Sequence, residues 1–271
     1  MDCIAIIPAR FASTRFPGKL LASLAGRPLI RHVVESVSRV EGIDATIVAT
    51  DDERIGEAAR ESGVDVVLSD GEFASGTDRV ADAASRYSAE IIVNVQGDEL
   101  LLDSAAVAGA LDCFRDSATE LGTLRAPLKE RRDLWDPNAV KVVIDDNEQA
   151  LYFSRAAVPF PRSEWQATVD MSTAESIVAW TPKVVDQRST CGAWLHLGVY
   201  FYRSDALRRW AALPPSRLEK AEGLEQLRVL EAGETIQTYV VNEGIPGVNT
   251  PGDLERVRAL LGEHASHPKK S

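Results

Sequence analysis

Three cations sit close together near the start of the chain: Arg10, Arg15 and Lys19, all within "IAIIPARFASTRFPGK" (Ile4 to Lys19). An apolar run ends at Pro8, and small or turn-forming residues space the cations that follow. A loop running from a buried strand toward a helix offers backbone amides and the favourable end of a helix dipole. Arginine adds a planar fork for phosphate oxygens and lysine a compact point charge. The combination suits a nucleoside triphosphate. Pro8, Pro17 and Gly18 would shape the turn, and Ala9, Ala12 and Ser13 would leave room for the ligand. The same cations would also suit a solvated loop balancing an acidic surface. Neither GxxxxGK[ST] nor GxGxxG occurs in this loop, which disfavours a P-loop kinase and a nicotinamide dehydrogenase.

Carboxylates form the second group. "VNVQGDEL" places Asp98 and Glu99 directly after an apolar strand. A carboxylate there could hold Mg²⁺ against a triphosphate, since Mg²⁺ takes one or two carboxylates plus phosphate oxygens. It could also be an ordinary turn acid. Asp51 and Asp52, after "IVAT", read as an N-cap for a helix beginning near Glu53. "ASGTDR" (Ala74 to Arg79) could touch a base or ribose through Ser75, Thr77 and Arg79, or could simply start a helix.

The elements that must position these groups alternate. "CIAIIP", "ATIVAT", "VDVVL" and "AEIIVNVQGDE" read as strands, and "PLIRHVVESVSRV", "DERIGEAARESG" and "TDRVADAASRYS" as helices. Continuously apolar strands separated by helices predict a parallel sheet covered on both faces, with ligands bound beyond the strands' carboxyl ends. "IPAR", "ATDD" and "VQGDE" all lie at such ends. The second half is less regular. "AVKVVIDDNEQALYFSR" predicts a hairpin, "LHLGVYFYR" a strand, "LEKAEGLEQLRVLEAG" a helix, "IQTYVV" a last strand and "TPGDLERVRALL" a closing helix. Residues 1–262 are expected to form a single domain, with an inserted loop or lid from about Pro159 to Ala193 and a disordered tail at 263–271.

Composition narrows the class. The chain has 271 residues, 45% hydrophobic and 26% charged, as in a globular enzyme. A net charge of -11 argues against a nucleic-acid-binding surface. No apolar run approaches the roughly 20 residues of a membrane span. The N-terminus does not read as a secretory signal. Cys3, Cys113 and Cys191 read as ordinary reduced cysteines of a cytoplasmic protein, and the four histidines lack zinc-ligand spacing.

Taken in order, "IPARFASTRFPGKLLASLAGRPLI", "VATDDERI", "SGTDR", "VNVQGDE", "VKVV", "ALYFSRAAVPF", "HLGVYFYR", "LEQLRVLEAG" and "TPGDLERV" resemble the 3-deoxy-manno-octulosonate (Kdo) cytidylyltransferases. The likeness runs from Ile4 to about Leu261, apart from Pro161 to Ala193. It implies a Rossmann-like nucleotidyltransferase fold, α/β, with an irregular dimerisation or lid insertion at about 125–195, and a homodimer. It also implies a Mg²⁺-dependent reaction in which CTP and a small acidic acceptor give a CMP-linked product and pyrophosphate. Carried over by position, Arg10 and Lys19 would hold the triphosphate with Arg15 nearby, and Pro8, Ala9 and Ser13 would contribute to the same loop. Ser75, Gly76, Arg79 and Gln96 would lie near the cytidine, and Asp98 would bind metal. His196, Tyr200, Glu225 and Gln226 would line the acceptor site. Without the resemblance, His196 and Tyr200 would read equally well as a core pair on one strand face, and Glu225 and Gln226 as solvent-facing helix residues.

The pattern breaks at three places. Asn249 stands where the family has its second metal carboxylate, so weaker Mg²⁺ binding is expected, with Asp253 or Glu243 as possible substitutes. Leu100 and Arg217 replace prolines. Two alternatives to a Kdo-type acceptor follow: a cytidylyltransferase for a small phosphonate such as phosphonoformate, and a catalytically silent nucleotide-binding relative.

Overall fold

The computed structural model of the chain describes residues 1–12, 16–69, 71, 73, 75–100, 103–128, 131–159, 193–242, 244 and 247–266. The first strand, β1 (Cys3–Ala9), is buried at every residue, as a continuously apolar run between two helical layers must be. Cys3, Ala5, Ile7 and Ala9 face one layer, while Ile4 and Ile6 face the other. Helix α1 (Leu29–Val37) presents Leu29, Ile30, Val33, Val34 and Val37 to the first layer. Strand β2 (Ala45–Thr50), α2 (Glu53–Arg60), β3 (Asp65–Leu68), α3 (Gly76–Ala84) and β4 (Ile91–Val95) follow.

Next come α4 (Ser104–Asp116), β5 (Leu121–Pro127), α5 (Arg131–Trp135) and the hairpin β6 (Lys141–Ile144) and β7 (Ala150–Ser154). The predicted hairpin turn is held by Asp145, whose Oδ1 accepts from Asn147 N (2.9 Å) and Gln149 N (2.8 Å). The chain ends with β8 (Trp194–Arg203), α6 (Ser204–Ala211), α7 (Arg217–Glu222), α8 (Leu227–Glu231), β9 (Gln237–Val240) and α9 (Pro251–Ser266).

These strands form one sheet in the order β9-β5-β8-β4-β1-β2-β3, with β6 paired to β8 and β7. β8 runs antiparallel between β4 and β5, while β1 to β5 and β9 share one direction. The expected mostly parallel sheet with helices on both faces is therefore present. Helices α1, α2 and α4 cover one face, and α3, α6 and α8 the other. The order reverses between β1 and β4, so a crevice opens at the carboxyl ends of these two strands. Their exits run so close that a Cβ on Gly97 would lie 2.8 Å from the Pro8 carbonyl oxygen.

Three expectations need correction. The predicted helix "LEKAEGLEQLRVLEAG" is two helices: Gly223 (φ +62°) terminates α7 in the left-handed region, and α8 begins anew at Leu227. Part of the span assigned to a lid or dimer contact, 125–195, belongs to the sheet as β6, β7 and the start of β8. Residues 160–192, which hold the predicted loop proper, lie outside the described residues. Finally, α9 carries 263–266 of the expected disordered tail, and 267–271 lie outside the described residues.

Candidate functional site

The cationic loop leaves β1 at the crevice, with Arg10 exposed. It closes on itself where Gly18 N donates to Phe11 O (3.2 Å). Gly18 sits at φ +67°, and a Cβ there would meet the Phe11 ring at 3.1 Å, so the tight approach requires glycine. Phe11 N donates to Asp51 Oδ1 (3.4 Å), and the Arg54 guanidinium covers the Phe11 ring at 4.0 Å. Ser13 and Arg15 lie outside the described residues. Asp52 caps α2 as expected, accepting from Arg54 N and Ile55 N, and the Arg54 guanidinium holds its carboxyl below the usual range.

Lys19 crosses the crevice. Its Nζ donates to Asp98 Oδ2 (2.5 Å) and to Val248 O (3.0 Å), while Val248 N donates to Asp98 O (3.0 Å). Residues far apart in sequence thus converge: the β1 loop, the turn after β4, and the segment before α9. Asn249 lines the same cavity as Asp98, and its Nδ2 donates to Gly247 O (2.8 Å). Asp253 takes no part. Its Oδ2 accepts from Asn249 N, Thr250 N and Thr250 Oγ1, while its own N donates to Thr250 Oγ1, so it is the capping acid of α9. Glu243 lies outside the described residues.

Glu99, one residue beyond Asp98, is buried and accepts from Gly198 N (3.0 Å). Burial, then the neighbouring Asp98 charge, pushes its carboxyl up to about 8, which keeps it protonated at neutral pH. Gly198 makes room for it, since a Cβ there would stand 2.9 Å from Glu99 Oε2. Among the described residues no three His, Cys, Asp or Glu side chains cluster as a metal cage. One carboxylate, Asp98, and the Asn249 amide are nevertheless the donors Mg²⁺ accepts when phosphate oxygens complete its shell. The residues fit a metal that arrives with a nucleotide.

The cavity that Asp98 and Asn249 line has a volume of about 180 Å³ and extends to Gln96, His196, Tyr200, Glu225 and Gln226. Tyr200 packs its ring 5.5 Å from that of His196, on the α3 and α6 side of β8. The Thr123 hydroxyl donates to Val199 O (2.7 Å), so in its 3.0 Å contact with His196 Nε2 the imidazole must be the donor. Burial lowers the His196 pKa to about 3, leaving the neutral Nε2–H tautomer with Nδ1 as acceptor. Gln226 is buried, and its Nε2 has no hydrogen-bond partner among the described residues.

The helix-start residues divide. Ser75 caps α3 through Asp78 N, and Gly76 packs so closely on Gln96 that a Cβ would meet its Oε1 at 3.2 Å. Arg79 points elsewhere. It is buried against Asp51 Oδ2 (2.8 Å), Ser69 Oγ (3.0 Å) and the face of Phe73, tying β2 to β3 at the sheet's carboxyl edge. Arg217 is exposed at the start of α7 and does not line the cavity, while Leu100 is buried in the core.

Sequence reasoning missed the floor of the cavity. Arg155 donates to Glu222 O, Pro137 O and Gly223 O, clamping the turn after α5 to the turn after α7. Lys141, fully buried, donates its ammonium to Asp136 O (2.8 Å), Ala139 O (2.6 Å) and Arg155 O (2.9 Å). Desolvation lowers its pKa to about 8. Both residues lie in quoted segments, "VKVV" and "ALYFSRAAVPF", but their spacing alone carries no chemical signature.

Comparison with known proteins points in one direction. The profile of the cytidylyltransferase family matches residues 4–236. A 3-deoxy-manno-octulosonate cytidylyltransferase of Geobacter sulfurreducens is 45% identical over 262 residues, covering 96% of this chain and 100% of that protein. One from Trichlorobacter lovleyi is 42% identical, covering 96% and 99%. A solved structure of CMP:2-keto-3-deoxy-manno-octonic acid synthetase complexed with CTP is 36% identical with a TM-score of 0.80, covering 97% of this chain and 100% of that one. A cytidylyltransferase structure from Leptospira borgpetersenii (15% identity, TM-score 0.60, covering 97% and 87%) shares the fold.

Proposed function

The chain belongs to the cytidylyltransferase family, and from that premise we propose that it transfers CMP from CTP to 3-deoxy-manno-octulosonate with release of pyrophosphate. The observation that carries this reading is the meeting of Lys19 with Asp98 and the Val248 carbonyl across the switch-point crevice, at the edge of a cavity that Asp98 and Asn249 line and that is large enough for a small polar acid.

In the reaction the acceptor hydroxyl loses its proton to solvent as its oxygen forms a bond to the α-phosphorus, and the bond to the bridging oxygen breaks on the opposite side, its electron pair leaving with pyrophosphate. No covalent enzyme intermediate is needed, so the protein's work is to position reactants and stabilise developing charge. Arg10, Arg15 and Lys19 hold the polyphosphate, with the backbone of Pro8 and Ala9 beside it. Ser75, Gly76 and Gln96 sit against the cytidine, and Arg79 supports that wall from behind. Neutral His196, fixed by Thr123, offers Nδ1 as an acceptor to a sugar hydroxyl, while Tyr200 and Gln226 supply polar contacts from either side. Protonated Glu99 keeps a second full negative charge away from the phosphates. Mg²⁺, held by Asp98 and the Asn249 amide, would add positive charge at the phosphate oxygens. A homodimer and a cytoplasmic location complete the reading, as the family resemblance implies.

The test follows pyrophosphate release from CTP, Mg²⁺ and Kdo. Release with Kdo, and its loss in Asp98→Ala while the variant stays folded by circular dichroism, is the expected result. Release with a phosphonate but not with Kdo would hand the acceptor site to another substrate class, and CTP binding without turnover on either acid would remove the enzymatic reading.

A further inference from the structure

Glu225 has an assignment on the acceptor side, yet its carboxylate is turned toward α3. Oε1 accepts from Gly76 N (3.0 Å), and Oε2 accepts from Thr77 N (3.0 Å) and from the Thr77 hydroxyl (2.7 Å). The first turn of α3 leaves these backbone donors without helical partners, and Ser75 Oγ satisfies only the next one, at Asp78. A side chain from a distant segment therefore completes the helix start, with its negative charge at the positive end of the helix dipole.

The two turns joined in this way have different neighbours. The 223–226 turn is anchored by Gly223 and by Arg155, whose guanidinium donates to the carbonyls of Glu222 and Gly223, and it presents Gln226 to the cavity. The 75–77 turn abuts the Gln96 amide, which donates to Asn94 Oδ1 (3.1 Å) at the end of β4.

We propose that Glu225 is a positioning residue that makes the nucleotide-facing turn Ser75–Thr77 depend on the acceptor-side turn 223–226, so that removing its carboxylate weakens CTP binding when no acceptor is present. The inference rests on the cytidylyltransferase reading, through the placement of residues 75–77 beside the nucleotide.

CTP affinity of the full chain is measured calorimetrically with Mg²⁺ and without acceptor, in the wild type and in Glu225→Gln, Glu225→Asp and Thr77→Val. Charged hydrogen bonds are lost in Glu225→Gln, so its Kd for CTP should rise by roughly tenfold. Thr77→Val, which loses the hydroxyl donor alone, should shift it a fewfold. Glu225→Asp should recover part of the affinity. In turnover assays KM for CTP and KM for the acceptor should rise together in Glu225→Gln. An unchanged Kd for CTP with a raised acceptor KM would overturn the inference and leave Glu225 serving the acceptor alone. Wild-type protein that fails to bind CTP would instead overturn the cytidylyltransferase reading itself. A drop in melting temperature of Glu225→Gln with unaltered CTP affinity would also count against the inference, because it would reduce the contact to support of the fold.

Discussion

At Asn249 an amide lines the same cavity as Asp98, whose carboxylate accepts from the Lys19 ammonium. Adding a charge with Asn249→Asp should tighten Mn²⁺ or Mg²⁺ binding in the presence of CTP by roughly tenfold, since a full charge at ion-pair distance outweighs an amide dipole even in a screened site. A metal titration monitored by Mn²⁺ relaxation reads the shift, and identical titrations would mean that the side chain does not meet the ion. His196 permits a separate prediction. Its folded pKa of about 3 lies below the ordinary 6.5, so between these values the unfolded chain binds the additional proton. Stability from this group is complete above about pH 6.5 and declines as pH falls, by up to about 1.4 kcal/mol per pH unit. Urea denaturation at several pH values should show a shallower acid decline in His196→Gln than in the wild type. Equal slopes would place a charged imidazole in the fold. The convergence of the Lys19 and Asp98 segments on one crevice was legible as polar clusters at strand ends, whereas their direct ion pair was not. Nor was the attachment of Glu225 to α3, because a contact 149 residues away leaves no mark on local spacing.

Elements show where the sequence signal fades. The early strands were readable because each is uniformly apolar, and α1 because its stripe recurs at helical spacing. Strand β5 carries Gly122, Thr123 and Arg125, which look like surface residues, yet all are buried. Arg125 is tolerated inside because its guanidinium donates to Thr238 O (3.1 Å) and Glu148 Oε1 (2.8 Å) and lies over the Trp194 ring. Helix α4 carries four alanines and one glycine in thirteen residues, which blurs any apolar period. The split between α7 and α8 turns on the backbone of a single glycine. Strand geometry also yields a prediction at Gly97, where β4 exits against β1. Gly97→Ala should force the strand ends apart at Pro8, costing about 1–3 kcal/mol in urea denaturation. It should also weaken CTP binding, because both Asp98 and the cationic loop ride on those ends. A variant with wild-type stability and affinity would show that the crevice yields without cost.

Across the molecule, strand identity was legible from the sequence but strand order was not. β8 enters between β4 and β5 from nearly a hundred residues later and delivers His196 and Tyr200 to a crevice founded by the first four strands. Periodicity reports which segments are strands, while long-range packing decides which strands are neighbours. Likewise, a net charge of -11 says nothing of how cations gather at one edge. The ion pair between Lys19 and Asp98 has a last consequence for the protein at rest. With an internal ammonium seated on the carboxylate, Asp98 has a counter-ion from within the chain, so the fold should not need a divalent one for integrity. Treatment with a chelator should leave the wild-type melting temperature unmoved. In Lys19→Met the same treatment should lower it, with recovery on adding back Mg²⁺. A chelator-induced drop in the wild type would show instead that storage, and not turnover alone, depends on the metal.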